Sequence, residues 1–312
     1  MSTWLLERKT TSEDITPGST YWKRLTLDMQ VSVYMLGAVD GLKLDPRGVL
    51  YDVLRKPQLR PYQPSSKRSE PETFEEYRTR CLAEIQSNPD AYYQRGKVVR
   101  LTEDMIEAMR DTWHTAAAIH ASRRGLAWPR NPDRCHDWNR ACDYWSVCAG
   151  EGQISDDLVY RTVPPMQPQN CPEERRHLPV LSQSAMRTYR ACPRRYFYAH
   201  ELRRRPHAQA NALVSGRRIH KALEVYSISM ANKAQTMSAV EHAMTEIPLT
   251  SHDAAREQAM LLGYVARYQD EPLTYKGLEV EFTAPLRSPL TRATSRTWQL
   301  GGYLDGIVEM PE

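Results

Sequence analysis

The sequence predicts an α/β protein in which a mixed central β-sheet is flanked by helices, and three observations carry that expectation. Segments that alternate apolar and polar residues stand at both ends of the chain, in residues 3–11, 275–288 and 296–310. Between them run stretches with apolar residues at helical spacing, such as Leu25, Met29, Val33 and Leu36. The composition is globular: 312 residues, 41% hydrophobic and 26% charged, enough for a substantial core. The net charge of +4 permits a polyanionic partner without demanding one.

Each element has a local reason. "TWLLERKTT" (3–11) reads as a strand, and a turn-rich loop with Pro17 and Gly18 follows. Residues 22–39 read as one helix, and "GVLYDVLRKPQLRP" (48–61) as a strand closed by prolines. A polar loop leads to helices at 73–87 and 102–122, each opening after threonine, the second with acids in its first turn. Residues 128–148 hold three cysteines in a loop-rich setting. Residues 151–181 contain five prolines and little periodicity, which predicts a linker. Residues 182–202 read as a helix with a serine cap, broken at Pro193; 215–233 is a strong helix, and 235–270 gives one or two more.

No run of about 18 apolar residues occurs, so no membrane span is expected. The opening "MSTWLLERKTT" lacks the basic start, apolar stretch and cleavage site of a secretory leader, so a cytoplasmic location is expected. In that compartment six cysteines favour metal or cluster ligation over disulfides.

Four local patterns carry chemistry. On a strand, Glu7 and Lys9 project to one side, an arrangement that alone is most simply a surface ion pair. Asp305 sits mid-strand among apolar residues, where aspartate is disfavoured. His220 shares a helix face with Glu224 in "GRRIHKALE". Gln30 and Tyr34 are one helical turn apart in "QVSVY".

Together these patterns resemble the RecB-like branch of the PD-(D/E)XK nuclease superfamily over most of the chain. That branch has a cysteine-proline helix, a G-x-x-x-H helix, a G-x-x-D strand, an E-x-K strand and a Q-x-x-x-Y helix. Here they stand as "YRACPRRYFY", "GRRIH", "GGYLDGI", "LLERKTT" and "QVSVY". The order departs from the family, since the last two come first. Joining residue 312 to residue 1 restores it through a short hairpin, "EMPE-MST", so the chain reads as circularly permuted. A second account makes it the end of one nuclease and the start of another from a tandem array, completing its site between molecules. In the permuted reading residues 1–150 are the second half of the nuclease, 151–181 the connection and 182–312 the first half, together one domain with a restriction-endonuclease-like core.

The resemblance implies a metal-dependent DNA nuclease, more an exonuclease than an endonuclease, acting on single strands or free ends in recombination, repair or phage replication. Partner proteins of those processes are implied with it. Asp305, Glu7 and Lys9 would be catalytic. His220, Asp305, Glu7 and the backbone carbonyl of Arg8 would hold Mg²⁺ or Mn²⁺. Gln30 and Tyr34 would hold the DNA strand. Glu281 is a weaker candidate, with a solvent-facing strand position as its plain reading.

Cys135, Cys142, Cys148 and Cys192 match the placement of the four cysteines that hold a 4Fe–4S cluster in many RecB-like nucleases, although the first pair is spaced more widely. A four-cysteine zinc site uses the same ligands. Cys81 and Cys171 are spare, and Cys171 could replace one of the four. The stretch 187–221 is dense in arginine with interleaved aromatics, which suits phosphates and unstacked bases; Arg194, Arg195, Arg217 and Arg218 are the expected DNA contacts. The alternative function is a non-catalytic iron–sulfur DNA-binding module of the same fold.

Overall fold

The computed structural model describes residues 1–65, 69–137, 140–166, 168–208, 210–271 and 273–311. Six strands form the main sheet: β1 (Ser2–Thr11), β2 (Val49–Arg55), β3 (Tyr93–Val98), β4 (Val180–Leu181), β5 (Thr274–Arg287) and β6 (Thr294–Met310). The order is β3-β2-β1-β6-β4, with β5 also running along β6. The sheet is mixed: β1 is parallel to β2 and antiparallel to β6, and β4 is parallel to β6. Helices flank it, so the α/β class and mixed sheet read from the sequence are what the chain adopts, consistent with a restriction-endonuclease-like fold.

Six helices matter for the site: α1 (Met29–Leu36), α2 (Phe74–Ser87), α3 (Thr102–Gly125), α4 (Gln183–Ala191), α5 (Asn211–Ala231) and α6 (His252–Tyr268). One apolar core joins Leu5, Val53, Leu300 and Leu304 of the sheet to Val33 and Leu36 of α1 and Ile119 of α3. A second joins Leu54 to Tyr77 of α2, Ile219 and Leu223 of α5, and Met260 and Tyr264 of α6. Burial of these side chains, each worth roughly 1.5–3 kcal/mol, holds the helices to the sheet. Among the described residues no helix is long and apolar enough to cross a membrane.

The expected helix over 22–39 is two. Thr20–Leu25 ends before Asp28, whose side chain accepts the Gln30 N–H at 2.8 Å and starts α1 afresh. The strand at 48–61 stops at Arg55, ahead of Pro57, and the polar loop's residues 66–68 lie outside the described residues. The break at Pro193 falls where expected: Cys192 is extended, and Pro193 opens the next helical turn.

The proline-rich stretch 151–181 folds onto the rest of the chain. Tyr160–Thr162 pairs with Arg204–Pro206, and Val180–Leu181 joins the main sheet beside Gln299 and Leu300. Gln299 Nε2 donates to the carbonyls of Arg175 (3.1 Å) and Leu178 (3.0 Å). Gly301 lets this packing close, since a Cβ there would come within 2.6 Å of Val180. At the other end of β6, Ser2 pairs with Met310, and Glu312, part of the expected hairpin, lies outside the described residues.

Candidate active site

The sheet register assembles the site. β1 and β6 pair from Ser2↔Met310 to Leu6↔Gly306, which sets Glu7 opposite Asp305. β5 and β6 pair Leu278↔Gly306 and Val280↔Leu304, which sets Glu279 opposite Asp305 on its other side. Glu279, Asp305 and Glu7 thus occupy one rung of three adjacent strands. Like charges placed directly opposite repel, and Glu7 and Asp305 are only 2% and 8% exposed. An uncompensated rung of this kind would be strongly unfavourable.

Its partners are specific. Asp305 Oδ2 lies 2.9 Å from His220 Nε2 on α5 and accepts the Arg8 backbone N–H at 2.6 Å. Glu7 pairs with Lys9 and accepts from Gln30 Nε2 at 2.7 Å; the same Gln30 nitrogen lies 2.8 Å from Tyr34 OH. Glu7 Oε2 is buried with no hydrogen-bond partner. Ligand atoms of His220, Glu279 and Asp305 all lie within 4.8 Å of one another. A carboxylate-rich set with one imidazole suits Mg²⁺ or, better, Mn²⁺, and the orphaned Glu7 oxygen beside it is a further hard donor.

The electrostatics reflect this crowding. Burial, and after it the Asp305 charge, push Glu7 up to about 8 against the pull of Lys9. Burial and Asp305 likewise raise Glu279. Burial opposes the charged form of Asp305, but the His220 hydrogen bond and charge and the Arg8 N–H outweigh it and hold Asp305 below the usual carboxylate range. Burial pulls Lys9 down, yet the charge and hydrogen bond of Glu7 raise it above an ordinary lysine. Acids pushed apart in this way mark functional sites.

The rung opens into a groove of about 1370 Å³ lined by Lys9, Gln30, Tyr34, His220, Glu279 and Asp305, with Arg24, Arg187, Arg190 and Tyr303 farther along. The four arginines expected to meet DNA are not among the residues lining this groove. Arg218 is engaged by Glu257 at 2.7 and 2.8 Å, and Arg194 donates to the Trp128 carbonyl at 2.7 Å. Arg217 is exposed and lines a second cavity together with Lys9 and His220. Arg195 lies among the cysteines.

Cys135, Cys142, Cys148 and Cys192 line one small cavity with Arg130, Arg134, Tyr144, Trp145 and Arg195. The Cys142 N–H donates to the Cys135 carbonyl at 2.7 Å beside the short pairing of His136–Asp137 with Arg140–Ala141. Burial first, then the neighbouring Cys192 and Cys135, raise the Cys148 thiol. Cys171 lies elsewhere, its Sγ 3.2 Å from Gln299 Oε1, and Cys81 is in the α2–α5–α6 core.

The sequence reading missed Glu279 and offered Glu281 instead. Glu281 takes hydrogen bonds from Tyr303 OH (3.0 Å) and the Gln169 N–H (2.8 Å), two rungs away from the acid row.

Residues 180–312 match the family model of the PD-(D/E)XK nuclease superfamily. The matched stretch carries His220, Glu279 and Asp305, and the strand with Glu7 and Lys9 lies outside it. The match covers less than half of the chain. No curated protein and no solved structure matches the chain.

Proposed function

We propose that this chain is a metal-dependent DNA nuclease whose site is built from both ends of the sequence. The observation that carries the reading is the rung of three carboxylates, with His220 and Lys9 at its sides and the partnerless Glu7 Oε2, at the floor of an open groove. His220, Glu279, Asp305 and Glu7 would hold Mn²⁺ or Mg²⁺, with the Arg8 carbonyl as a further donor suggested by the family resemblance. The bound ion would supply charge to the scissile phosphate and acidity to a water. The chain's own residues do the rest. Lys9 places an ammonium beside Glu7, where it can orient the attacking water or meet charge on the phosphate. Gln30 holds Glu7, and Tyr34 holds the groove wall against Phe282. Arg187 lines the path a DNA backbone would take, with Arg24, paired to Glu13, and Arg190, bonded to Thr115, beside it.

The circularly permuted order fits the antiparallel pairing of β1 with β6, which joins the two halves within one chain. An exonuclease acting on single strands or free ends is the finer reading, from the resemblance. For the cysteines, a 4Fe–4S cluster is favoured over zinc. In that role the cluster would tie residues 135–148 to the end of α4.

The test is cleavage of end-labelled single-stranded and duplex DNA with Mn²⁺ or Mg²⁺, against Lys9→Ala. Cutting that needs metal and is lost in the variant supports the reading, and the label pattern gives polarity. DNA binding without cutting sinks it and leaves a non-catalytic module.

A further inference from the structure

Arg8 stands between the two members of the Glu-x-Lys pattern and points the other way. Its side chain is buried on the far face of β1, 3% exposed. Nη1 donates to the Leu223 carbonyl at 3.3 Å, and Nη2 to Ser227 Oγ at 2.7 Å and Tyr275 OH at 3.2 Å. Its backbone N–H is the one that holds Asp305. Leu223 and Ser227 follow His220 by three and seven residues on α5, along one side of the helix. Tyr275 is the second residue of the strand that carries Glu279. This single residue therefore ties together β1, α5, β5 and β6, the four elements that bear the acids and the histidine.

Packing alone does not call for a guanidinium here. A buried charge is costly, and an apolar residue of similar volume usually serves as well. Its cross-strand neighbour Asp52 has partners on one oxygen, Tyr264 OH at 2.5 Å and Arg95 at 3.2 Å, while its other oxygen is buried without one, so the Arg8 charge also faces Asp52. Its fork of donors meets α5 and β5 while its backbone N–H meets Asp305, so one residue couples the helix of His220 and the strand of Glu279 to the carboxylate rung.

We infer that Arg8 is a positioning residue for that rung: it fixes the backbone of Glu7 and Lys9 against the helix of His220 and keeps a positive charge beneath the three carboxylates. The inference rests on the nuclease reading above.

The test uses the full chain with Arg8→Met, which keeps length and removes charge and donors, and a Ser227→Ala/Tyr275→Phe double variant, which removes two of the acceptors. Three quantities are read: kcat and KM on labelled DNA, the electron paramagnetic resonance line shape of bound Mn²⁺, and Tm. Arg8→Met is expected to lower kcat roughly ten- to hundredfold, the cost of a small misplacement, with KM for DNA within about twofold. The Mn²⁺ line shape changes with it, and the double variant shifts kcat and line shape in the same direction. A purely structural role would lower Tm and leave kcat and the spectrum of the folded protein alone. Wild-type kcat and line shape in folded Arg8→Met overturn the inference. If Arg8→Met does not fold, the double variant decides, and an unchanged kcat and spectrum there overturn it equally. A wild-type chain that neither binds Mn²⁺ nor cuts DNA refutes the nuclease reading itself, and the inference falls with it.

Discussion

Replacing Gln30 with leucine removes the amide that donates to Glu7 and Tyr34 and leaves the side chain's size nearly unchanged. Gln30 Nε2 donates to Glu7 Oε1 at 2.7 Å, and Glu7 is buried with its other oxygen unpartnered. A hydrogen bond to a charged group contributes about 1.5–3 kcal/mol, which is roughly a ten- to hundredfold change in the protonation equilibrium of Glu7. The direction follows from what the bond favours. Gln30 stabilises the carboxylate, and burial has already pushed Glu7 up to about 8, so losing the donor moves it higher still. Below that value the variant holds the proton that a metal ligand must lose. Cleavage at neutral pH is therefore expected to fall roughly ten- to hundredfold. The gap to the wild type narrows as pH rises through and beyond 8. The assay is the initial rate of DNA cleavage against pH at fixed Mn²⁺, with a circular dichroism check of folding. A variant profile that overlays the wild type would show that Gln30 does not govern Glu7.

Other consequences are as concrete. Glu279→Gln should weaken Mn²⁺ binding by calorimetry by at least the roughly tenfold that even outer metal partners are worth, with Tm little changed because the residue is exposed. Gly37→Ala would drive a Cβ into the Phe282 ring and should cost about 1–3 kcal/mol by urea unfolding, leaving the metal constant of the folded protein alone. His200 is held down to about 4 by burial, then by Arg205 and Arg195, so the folded state resists its protonation. That contribution is full above pH 6.5 and is lost as pH falls from there toward 4, by about 3 kcal/mol at the end; a His200→Gln variant should show a flatter stability profile over that window. Protein purified without air should carry about four iron and four sulfide per chain by chemical analysis, and Cys192→Ser should lose them; one zinc in their place would replace the cluster reading.

The strand of Glu7 and Lys9, the helix of His220 and the strand of Asp305 were legible in the sequence because each is a local pattern: alternation for the strands, a 3.6-residue period for the helix. The choice between Glu279 and Glu281 was not. Both acids sit on the same face of β5, two residues apart, and only the pairing of β5 with β6 decides which one meets Asp305 and which meets Tyr303. Charge posed the same difficulty. Arg218 and Arg204 look free in a list of residues, yet Glu257, thirty-nine positions away, and Asp157, forty-seven away, engage them in the fold. The single helix expected over 22–39 failed for a local reason of another kind, since Asp28 sits within the apolar period but serves as a cap. The prolines of 151–181 did stop periodic structure, but a side-chain amide, Gln299, gathers that segment onto the sheet from more than a hundred residues away.

The central claim is that residues near both ends of one chain form one metal-dependent hydrolytic site. The most direct measurement is Mn²⁺-dependent cleavage of labelled DNA by the wild type, by Glu7→Gln, by Asp305→Asn and by an equimolar mixture of the two variants. The account predicts cutting by the wild type that a chelator abolishes, none by either variant, and none by the mixture. A wild type that does not cut with metal, or a mixture that regains the activity its components lack, would contradict it.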